Sequence, residues 1–503
     1  MALSFGISEI FTFGNILMAF VGVFVGIIIG ALPGLTPTMG IALMLPFTFS
    51  LDPLPSFALL LGIYVGGTYG GSISAILIRT PGTPQAVATV LDGYPLARSG
   101  KASEALSTAV IASAFGGILS NVILMLLAGQ IAKVALAFGP AEYFAIGVFG
   151  LSMVASFCAK GIDKGIFACG IGLLISTIGI DEIGGMGRFA YTKNMIGGIQ
   201  TVSALIGLFA LTEVINKAVD SVHHEKIEET VVSNKLVPLK TVARNLPNML
   251  RSGLIGTFIG IVPATGGGIA AFLAYNEARR ASKHPETFGT GNYEGIFAAE
   301  SANNGVTGGA LIPLLTLGVP GDTITAVLMG ALTIQGLAPG PLLFQNNPTV
   351  VNGIYLLLLL SNIFMLILGL AGTRVFMHVI RIPNDVLLPC VMLLCFIGSF
   401  ASGNKIFDIR TALVMGIVGF LYTLGEIPAA PTLLGLILGS TIESNMRRAL
   451  VISNGSWTIF VTKPICLAFL ILSVISILFV ALRDVLPGKK NKEKKPASEA
   501  LDI

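Results

Sequence analysis

Apolar runs of about 20 residues, the length that crosses the hydrocarbon core of a bilayer as one helix, follow one another along nearly the whole chain. Short polar or glycine-rich stretches separate them. The pattern predicts an all-α polytopic membrane protein. The runs lie near 13–32, 57–78, 107–128, 141–158, 164–182 and 197–215 in the first half, and near 250–263, 295–317, 322–345, 350–373, 384–402, 408–425 and 463–482 in the second.

Three further apolar runs are too short to span a bilayer. They cover residues 37–50, 266–278 and 430–441. Runs of about 10–14 residues suit half-helices or re-entrant hairpins instead. Long and short runs together predict about 10–14 membrane-embedded elements.

Two polar stretches divide the chain. The one at 217–250 separates the halves, so we expect a first transmembrane repeat at 1–216, a connector at 217–250 and a second transmembrane repeat at 251–482. The remainder, 483–503, is a lysine-rich tail, and the positive-inside rule places such a basic segment in the cytoplasm. No Lys or Arg precedes the first apolar run, so we expect a retained span and not a signal peptide.

The composition agrees with a membrane protein and narrows the function. Of the 503 residues 54% are hydrophobic and 11% are charged, whereas a soluble domain has about 25% charged residues. The sequence contains no catalytic constellation, phosphate-binding loop or nucleic-acid signature, so we expect neither an enzyme, nor a cofactor, nor a nucleic-acid partner. The five cysteines show no metal spacing and are read as small buried hydrophobic residues, the alternative being a redox or metal role.

One glycine and proline phrase occurs twice inside apolar sequence. It reads Gly-Ala-Leu-Pro-Gly-Leu-Thr at 30–36 and Gly-Ile-Val-Pro-Ala-Thr-Gly at 260–266. A second shared phrase follows each copy, with Thr-Pro-Gly-Thr at 80–83 and Val-Pro-Gly-Asp at 319–322. Proline breaks a helix, and helices broken at matching positions of two halves are typical of the binding site of a secondary transporter. The sequence therefore predicts two repeats with broken helices.

The loop charges favour opposite orientations of the two repeats. Residues 50–55 carry no Lys or Arg, while the matching stretch of the second half has Arg279, Arg280 and Lys283. Further along the situation reverses, because the first half has Arg98 and Lys101 where residues 336–341 have no basic residue. Since basic loops stay on the cytoplasmic side, we expect inverted-topology repeats.

The two breaks are the candidate substrate site. A broken helix exposes backbone N–H groups at the start of its second piece, and these groups attract anions such as carboxylates. Close packing of helices through small residues is the alternative. The candidate residues are Pro33, Gly34, Thr36 and Thr38 at the first break, and Pro263, Thr265, Gly266 and Gly267 at the second.

Polar side chains near these breaks add further candidates. Asn303, Asn304 and Thr307 belong to the most polar embedded segment, and such groups at membrane depth are costly unless they are paired or functional. Arg79 can meet a substrate carboxylate or extend to a lipid headgroup. Asp322 can bind a coupling cation or cap the following helix, and Glu300 is a second cation or proton candidate. Beyond a sodium ion the sequence predicts no metal.

Four motifs resemble those of a known family. They are Gly-Ile-Ile-Ile-Gly-Ala-Leu-Pro-Gly-Leu-Thr-Pro at 26–37, Gly-Ile-Val-Pro-Ala-Thr-Gly-Gly-Gly at 260–268, Tyr-Glu-Gly at 293–295 with Ala-Glu-Ser-Ala-Asn-Asn at 299–304, and Pro-Leu-Leu-Thr-Leu-Gly-Val-Pro-Gly at 313–321. Through them the chain resembles the large membrane subunit of the tripartite tricarboxylate transporter family, the TctA type.

The resemblance implies a permease subunit of the bacterial inner membrane. It implies a small four-span membrane subunit of the TctB type and a periplasmic solute-binding protein of the TctC type as partners. Uptake of citrate-like tricarboxylates or other organic acids would be driven by a sodium or proton gradient through alternating access, with an elevator-type movement. The first break ends Thr-Pro-Thr at 36–38 without the triple glycine of the second, so the two tips need not contribute equally.

Other functions remain as alternatives. A channel would need a continuous polar lining, whereas polarity here clusters at the helix breaks. A non-transporting scaffold of a multi-component membrane complex would give the repeated breaks no purpose. We therefore expect a cation-coupled secondary transporter for an organic acid, with the lipid bilayer as its surroundings. Tricarboxylates, dicarboxylates and aromatic acids all fit a pocket lined by hydrogen-bond donors.

Overall fold

The computed structural model describes residues 7–32, 34–152, 162–181, 183–220, 235–262, 266–372 and 384–485. Nearly all of this described part is helical. Its two strands, β1 (Gly179–Ile180) and β2 (Gly187–Arg188), form one antiparallel pair in which Gly179 lies opposite Arg188. The expected all-α class is confirmed.

The helices of the described residues alternate between long and short. In the first half they are α1 (Ile7–Ile10), α2 (Phe13–Ala31), α3 (Pro37–Met44), α4 (Pro53–Ile78), α5 (Val87–Leu96), α6 (Ala102–Ala135), α7 (Pro140–Ser152), α8 (Ile162–Ser176), α9 (Thr201–Leu205) and α10 (Thr212–Asp220). Short 3-10 turns cover Leu45–Ser50, Pro84–Ala86 and Lys193–Met195, and π-helical turns cover Ala97–Lys101 and Ile206–Leu211.

The second half repeats this alternation of long and short helices. Its helices are α11 (Leu239–Ile261), α12 (Gly266–Ala281), α13 (Tyr293–Leu317), α14 (Thr323–Ile334), α15 (Pro341–Asn346), α16 (Pro348–Ala371), α17 (Asn384–Gly403), α18 (Ile406–Leu424), α19 (Ala430–Ile452), α20 (Ile459–Thr462) and α21 (Pro464–Val485). A 3-10 turn covers Pro285–Thr287.

Several helices are long and apolar enough to cross a bilayer. Within the described residues there are seven, and they cover Phe13–Ala31, Pro53–Ile78, Pro84–Ala135, Thr201–Val219, Pro348–Ala371, Val386–Gly403 and Ile406–Leu424. Together with the shorter apolar helices between them they make the chain a polytopic membrane protein, as the hydrophobic pattern predicts.

The structure moves some predicted boundaries. The apolar run near 322–345 is divided between α14 and α15, because Gly336, Pro339 and Gly340 end one helix before the next begins. The short run at 430–441 is the first part of α19, which continues through a charged segment to Ile452. Helix α11 starts at Leu239, inside the polar stretch expected to be the connector.

Proline and capping residues explain where the broken helices stop and restart. Helix α2 ends at Ala31 and α11 ends at Ile261, each shortly before a proline of the repeated phrase, because the residue before proline disfavours helical backbone. Helix α3 restarts with the hydroxyl of Thr36 accepting the Met39 amide at 3.3 Å and with Pro37 in the first turn. Both predicted breaks are therefore present between a long helix and a short one.

Glycines bring the helices of each half into close contact. A side chain at Gly30 of α2 would overlap the backbone carbonyl of Gly67 in α4. In the second half a Cβ at Gly260 of α11 would lie 2.9 Å from the carbonyl oxygen of Val306 in α13. Small residues allow such close approach of membrane helices, so α2 packs on α4 as α11 packs on α13.

Helices α4 and α13 form the centre of the molecule. Every residue of α4 from 56 to 77 and every residue of α13 from 295 to 316 is buried. The helices at the periphery expose large apolar side chains, for example Leu424 of α18 and Leu478 of α21. The polar residues of α4 and α13 therefore lie in the interior, where their hydrogen-bond partners decide what they can do.

Candidate functional site

The breaks of one half contact the other half. At the start of α3 the hydroxyl oxygen of Thr38 lies 3.4 Å from that of Thr323, at the start of α14. At the start of α12 a Cβ on Gly268 would lie 3.4 Å from the carbonyl oxygen of Pro84, in the turn before α5. Each short helix that follows a repeated Gly–Pro phrase thus starts against the Pro-Gly turn (80–83 or 319–322) of the opposite half, so the helix starts meet in two pairs.

The first break carries charged neighbours that the sequence pattern did not reveal. Gly34 has a backbone φ of 82°, which glycine adopts readily. A Cβ at Gly34 would lie 2.7 Å from Glu213 Oε1 and 2.9 Å from Lys217 Nζ, both from α10. Only the tertiary fold brings α10 over this tip, since nothing in its local sequence marks it. Pro33 itself lies outside the described residues.

The second break is lined by backbone and amides. Gly266 has a φ of 67° and Gly267 is buried. A Cβ on Gly267 would lie 2.7 Å from Gln85 Cγ and 2.8 Å from Asn303 Oδ1, so a larger residue would require these side chains to move. Pro263 and Thr265, the remaining candidates at this tip, lie outside the described residues.

The polar segment of α13 is only partly satisfied by hydrogen bonds. Asn303 Nδ2 donates to the carbonyl of Thr68 at 3.4 Å, and Asn304 Nδ2 approaches that of Glu300 at 3.5 Å. The Thr307 hydroxyl donates to the Asn304 carbonyl at 2.7 Å within the helix. Within the described part of the chain, the buried Oδ1 atoms of Asn303 and Asn304 have no partner. These amide oxygens are the free acceptors of the segment.

Glu300 is fully buried and collects hydroxyl groups from three helices. Its Oε1 accepts hydrogen bonds from Ser72 of α4, at 2.5 Å, and from Thr89 of α5. Its Oε2 accepts one from Ser113 of α6 at 2.8 Å. A buried carboxylate is tolerated only when its oxygens are satisfied in this way. Glu300 therefore joins α13 to the first half.

Asp322 caps α14 and contacts the first half. Its Oδ1 accepts the Thr325 amide at 2.7 Å, and the Thr325 hydroxyl accepts the Asp322 amide at 2.9 Å, which makes a capping box. Its Oδ2 accepts the hydroxyl of Tyr64 from α4 at 2.9 Å. Of the two interpretations from sequence, the structure shows the cap directly.

Arg79 sits apart from the buried cluster. It ends α4 in a left-handed conformation with a φ of 59°, and its side chain is exposed. The guanidinium carbon lies 5.9 Å from the centre of the Tyr94 ring, which suits a cation–π contact. The structure therefore does not bring Arg79 together with the other candidate residues.

Asp92 of α5 is a buried acidic residue that the sequence pattern did not single out. Its Oδ1 accepts the backbone amides of Gly289, Gly291 and Asn292 at 2.8–2.9 Å, and its Oδ2 accepts the Tyr275 hydroxyl at 2.8 Å. One carboxylate thereby fixes the loop between α12 and α13 to α5. An acidic residue within an apolar stretch is a signal that could have marked Asp92 in the sequence. Its partners could not be predicted, because they lie about 200 residues away along the chain.

A separate charged cluster joins the strand pair to α19. Arg447 donates to both oxygens of Asp181 at 2.8 and 2.9 Å, and Arg188 donates to both oxygens of Glu443 at 2.7 and 3.1 Å. These groups line a cavity of about 390 Å³. The hydrogen bonds from Arg447 hold the pKa of Asp181 below its usual value.

No metal cluster of charged ligands is present in the part of the chain that the structure describes, since no three His, Cys, Asp or Glu residues come together to hold an ion. The polar atoms of the interior site are instead amide, hydroxyl and backbone groups with two buried carboxylates. Such a set of groups can bind a small polar ligand through hydrogen bonds and contacts with neutral oxygen atoms.

Comparison with known proteins places the chain among membrane transport components. A protein from Agrobacterium vitis, an uncharacterized 52.8 kDa protein in the TAR-I ttuC' 3' region, is 36% identical over 491 residues, which cover 97% of each chain. A second protein of that organism, from the TAR-II ttuC' 3' region, is 34% identical over 230 residues, 46% of this chain and 95% of its own. No solved structure matches the chain significantly. The family profile described as the tripartite tricarboxylate transporter TctA family matches residues 16–434, and the chain belongs to that family.

Proposed function

We propose that the protein is the large permease subunit of a binding-protein-dependent secondary transporter. It takes up citrate-like tricarboxylates or related organic acids by cation-coupled alternating access. Membership of the TctA family supports the transporter class. The reciprocal contacts of the helix breaks support a substrate site between the two halves.

That reciprocal contact is the observation that carries the proposal. Thr38 and Gly268 occupy matching places in α3 and α12, about 230 residues apart, and Pro84 and Thr323 occupy matching places about 240 residues apart. Thr38 contacts Thr323, and Gly268 contacts Pro84. An exchange of equivalent partners in this way is what a two-fold relation between two copies of one unit would produce, and it supports that proposal.

The glycine packing extends the match. Gly26 and Gly30 of α2 approach α4 at Ile63 and Gly67, as Gly256 and Gly260 of α11 approach α13 at Ala302 and Val306. Gly82 packs on Gly71, and the equivalent Gly321 packs on Ala310. The structure therefore aligns Gly71 with Ala310, one residue away from the alignment of Gly71 with Gly309 that the sequence suggests. With the alternating basic loops, this supports inverted repeats at 1–216 and 251–482 with re-entrant hairpins.

The chemistry of the two tips favours an anion. The first turns of α3 and α12 present backbone N–H groups and the positive ends of the helix dipoles, and Thr36 and Thr38 add hydroxyl groups. Gly266 and Gly267 allow a ligand to approach the backbone closely. We propose that the tips hold substrate carboxylates, with side-chain contacts from Asn303, Asn304 and Thr307.

The remaining assignments follow from this function. As a TctA-family member the subunit would work in the bacterial inner membrane with a small TctB-type subunit and a TctC-type binding protein, and with its basic tail in the cytoplasm. A sodium ion or a proton would drive uptake, with Asp322 and Glu300 as the charged candidates. One domain would move against the rest in an elevator-type motion.

Uptake by purified protein in proteoliposomes tests the proposal. With partner subunits and binding protein supplied, radiolabelled citrate should accumulate saturably when a sodium or proton gradient is imposed. The Asn304→Ala and Thr265→Ala variants should lose at least about 1.4 kcal/mol of substrate affinity, a tenfold change. Thr316→Ala is the matched control, because its hydroxyl donates within α13 to Ile312. Normal uptake by both site variants at normal expression would remove them from the site, and unsaturable flux would indicate a channel.

A further inference from the structure

Three buried side-chain oxygen atoms near the start of α12 have no hydrogen-bond partner in the described part of the chain. They are Thr83 Oγ1, Gln85 Oε1 and Asn303 Oδ1. Thr83 and Asn303 are almost completely buried, and the Gln85 oxygen is inaccessible although its side chain is half-buried. A buried polar atom without a partner costs about 1–3 kcal/mol, so three such atoms need an explanation.

Shared neighbours bring these atoms together. Gln85 and Asn303 both contact the position of Gly267 at the start of α12. The Thr83 side chain packs on Gly71 of α4, and Asn303 Nδ2 donates to the carbonyl of Thr68, one turn earlier on that helix. The three side chains therefore line one small region between α4, α12 and α13.

The matching place in the other half is filled by the protein itself. Asp322 occupies the position equivalent to Thr83, and Tyr64 occupies the position equivalent to Asn303, both about 240 residues away. There the Tyr64 hydroxyl donates to Asp322 at 2.9 Å. The equivalent groups are thus hydrogen-bonded on one side, whereas on the other side the Thr83 hydroxyl and the Asn303 amide oxygen make no hydrogen bond.

The chemistry of the three atoms selects their ligand. The Asn303 amide is oriented by its Nδ2 contact to Thr68, so its oxygen faces the region as an acceptor. Hard cations bind amide, hydroxyl and backbone oxygens, and a set without a carboxylate among its members carries too little charge to favour Ca²⁺ or Mg²⁺. Freed backbone oxygens at broken helices coordinate sodium in other transporters of this general construction.

We propose that Thr83, Gln85 and Asn303 form a sodium site beside the start of α12. The site rests on the proposed transport function for its role. The positive dipole end of α12 opposes a cation, and a substrate carboxylate at that N-terminus would offset this charge, so each ligand would raise the affinity of the other. Such coupling is reciprocal, so substrate would raise sodium affinity by the same factor. The proposed site binds the cation through neutral oxygens, and Asp322 then serves as the N-cap of α14.

Sodium binding to the full-length protein in lipid nanodiscs tests the site without relying on transport. Radioactive sodium should bind saturably in the absence of substrate, and excess potassium should compete poorly. The nearly isosteric variants Thr83→Val and Asn303→Leu should each weaken binding about tenfold or more. Thr316→Val, whose hydroxyl is satisfied within α13, should bind sodium normally.

The outcomes separate this inference from the proposed function. The site is wrong if Thr83→Val and Asn303→Leu leave saturable sodium binding unchanged. It is also wrong if the wild-type protein binds no sodium, and the oxygens would then be assigned to ordered water. Citrate uptake that continues on a pH gradient would then leave the transport function standing. Site-dependent sodium binding without any organic-acid uptake would support the site and contradict the proposed substrate. Thermal melting of each variant shows whether it is folded.

Discussion

The hydroxyl oxygens of Thr38 and Thr323 lie 3.4 Å apart, although 285 residues separate them in the chain. Thr38 lies in the first turn of α3, after the break at 30–36, and Thr323 is the first residue of α14, after the Pro-Gly turn at 319–322. Their contact joins the two halves at the point where both present helix N-termini. A ligand at these N-termini would therefore touch both halves at once.

Replacing Thr38 by Val should weaken substrate binding with little effect on folding. The change removes a hydroxyl of nearly unchanged shape, and a hydrogen bond of this kind contributes about 0.5–1.5 kcal/mol, up to roughly a tenfold rise in KM for uptake. Concentration-dependent citrate uptake in proteoliposomes measures it. Thr316→Val should leave KM unchanged, and an equal change in both variants would mean that Thr38 acts only through packing.

A methyl group at Gly30 should destabilise the fold. Gly30→Ala drives a side chain into the carbonyl of Gly67, and overpacking of this kind costs about 1–3 kcal/mol. Gly129→Ala is the matched control, because no described atom lies within 4 Å of a Cβ there. Thermal melting in detergent should show a lower Tm for the first variant and an equal or higher Tm for the second. Equal melting would show that α2 and α4 can separate without cost.

Loss of the Asp92 carboxylate should release the loop between α12 and α13. Asp92→Ala leaves the part-buried amides of Gly289, Gly291 and Asn292 without their acceptor, and each lost hydrogen bond costs about 0.5–1.5 kcal/mol. Hydrogen–deuterium exchange should lose protection in residues 285–292 first. Asp52→Ala serves as control, because Asp52 makes no side-chain capping bond at the start of α4. Unchanged protection in the Asp92 variant would contradict this role.

Acid should open the contact between Asp181 and Arg447. Because the hydrogen bonds from Arg447 depress the pKa of Asp181 in the folded protein, the contact contributes stability above the unfolded pKa of about 3.9. That contribution to stability is lost as the pH falls from the unfolded-state pKa of Asp181 through its lower folded-state pKa. Exchange protection of residues 179–188 should fall between neutral pH and about pH 3. In Asp181→Asn the exchange protection of residues 179–188 should be low at both pH values. If this variant instead shows the wild-type pH response, the contact between Asp181 and Arg447 is not the cause of that response.

Local chemistry made part of the fold and site predictable. The prolines of the repeated phrase end α2 and α11 where expected, and the Thr36 and Asp322 side chains cap the helices that restart after a break. These signals act over a few residues, so a sequence contains them in full. The long apolar runs likewise predict membrane helices because hydrocarbon requires each segment to satisfy its own backbone.

Partners across the chain could not be predicted in this way. The hydroxyls of Ser72, Thr89 and Ser113 reach Glu300 from three helices, and Lys217 reaches the tip at Gly34 from α10. Hydroxyl-bearing residues and lysines occur throughout the sequence, and no local pattern distinguishes those that meet a particular partner. The apolar run at 430–441 predicts a short helix, but α19 continues to Ile452. Its charged second part forms ion pairs with Asp181 and Arg188, at the strand pair, which the apolar pattern does not indicate.

By itself the sequence determined a polytopic helical protein with a broken helix at a matching place in each half. It could do so because helix length, proline geometry and capping act between near neighbours. Only the tertiary structure decided that Thr38 meets Thr323, that Gly267 lies between Gln85 and Asn303, and that Tyr64 satisfies Asp322. Those contacts depend on how buried helices pack, and packing is a property of the whole chain.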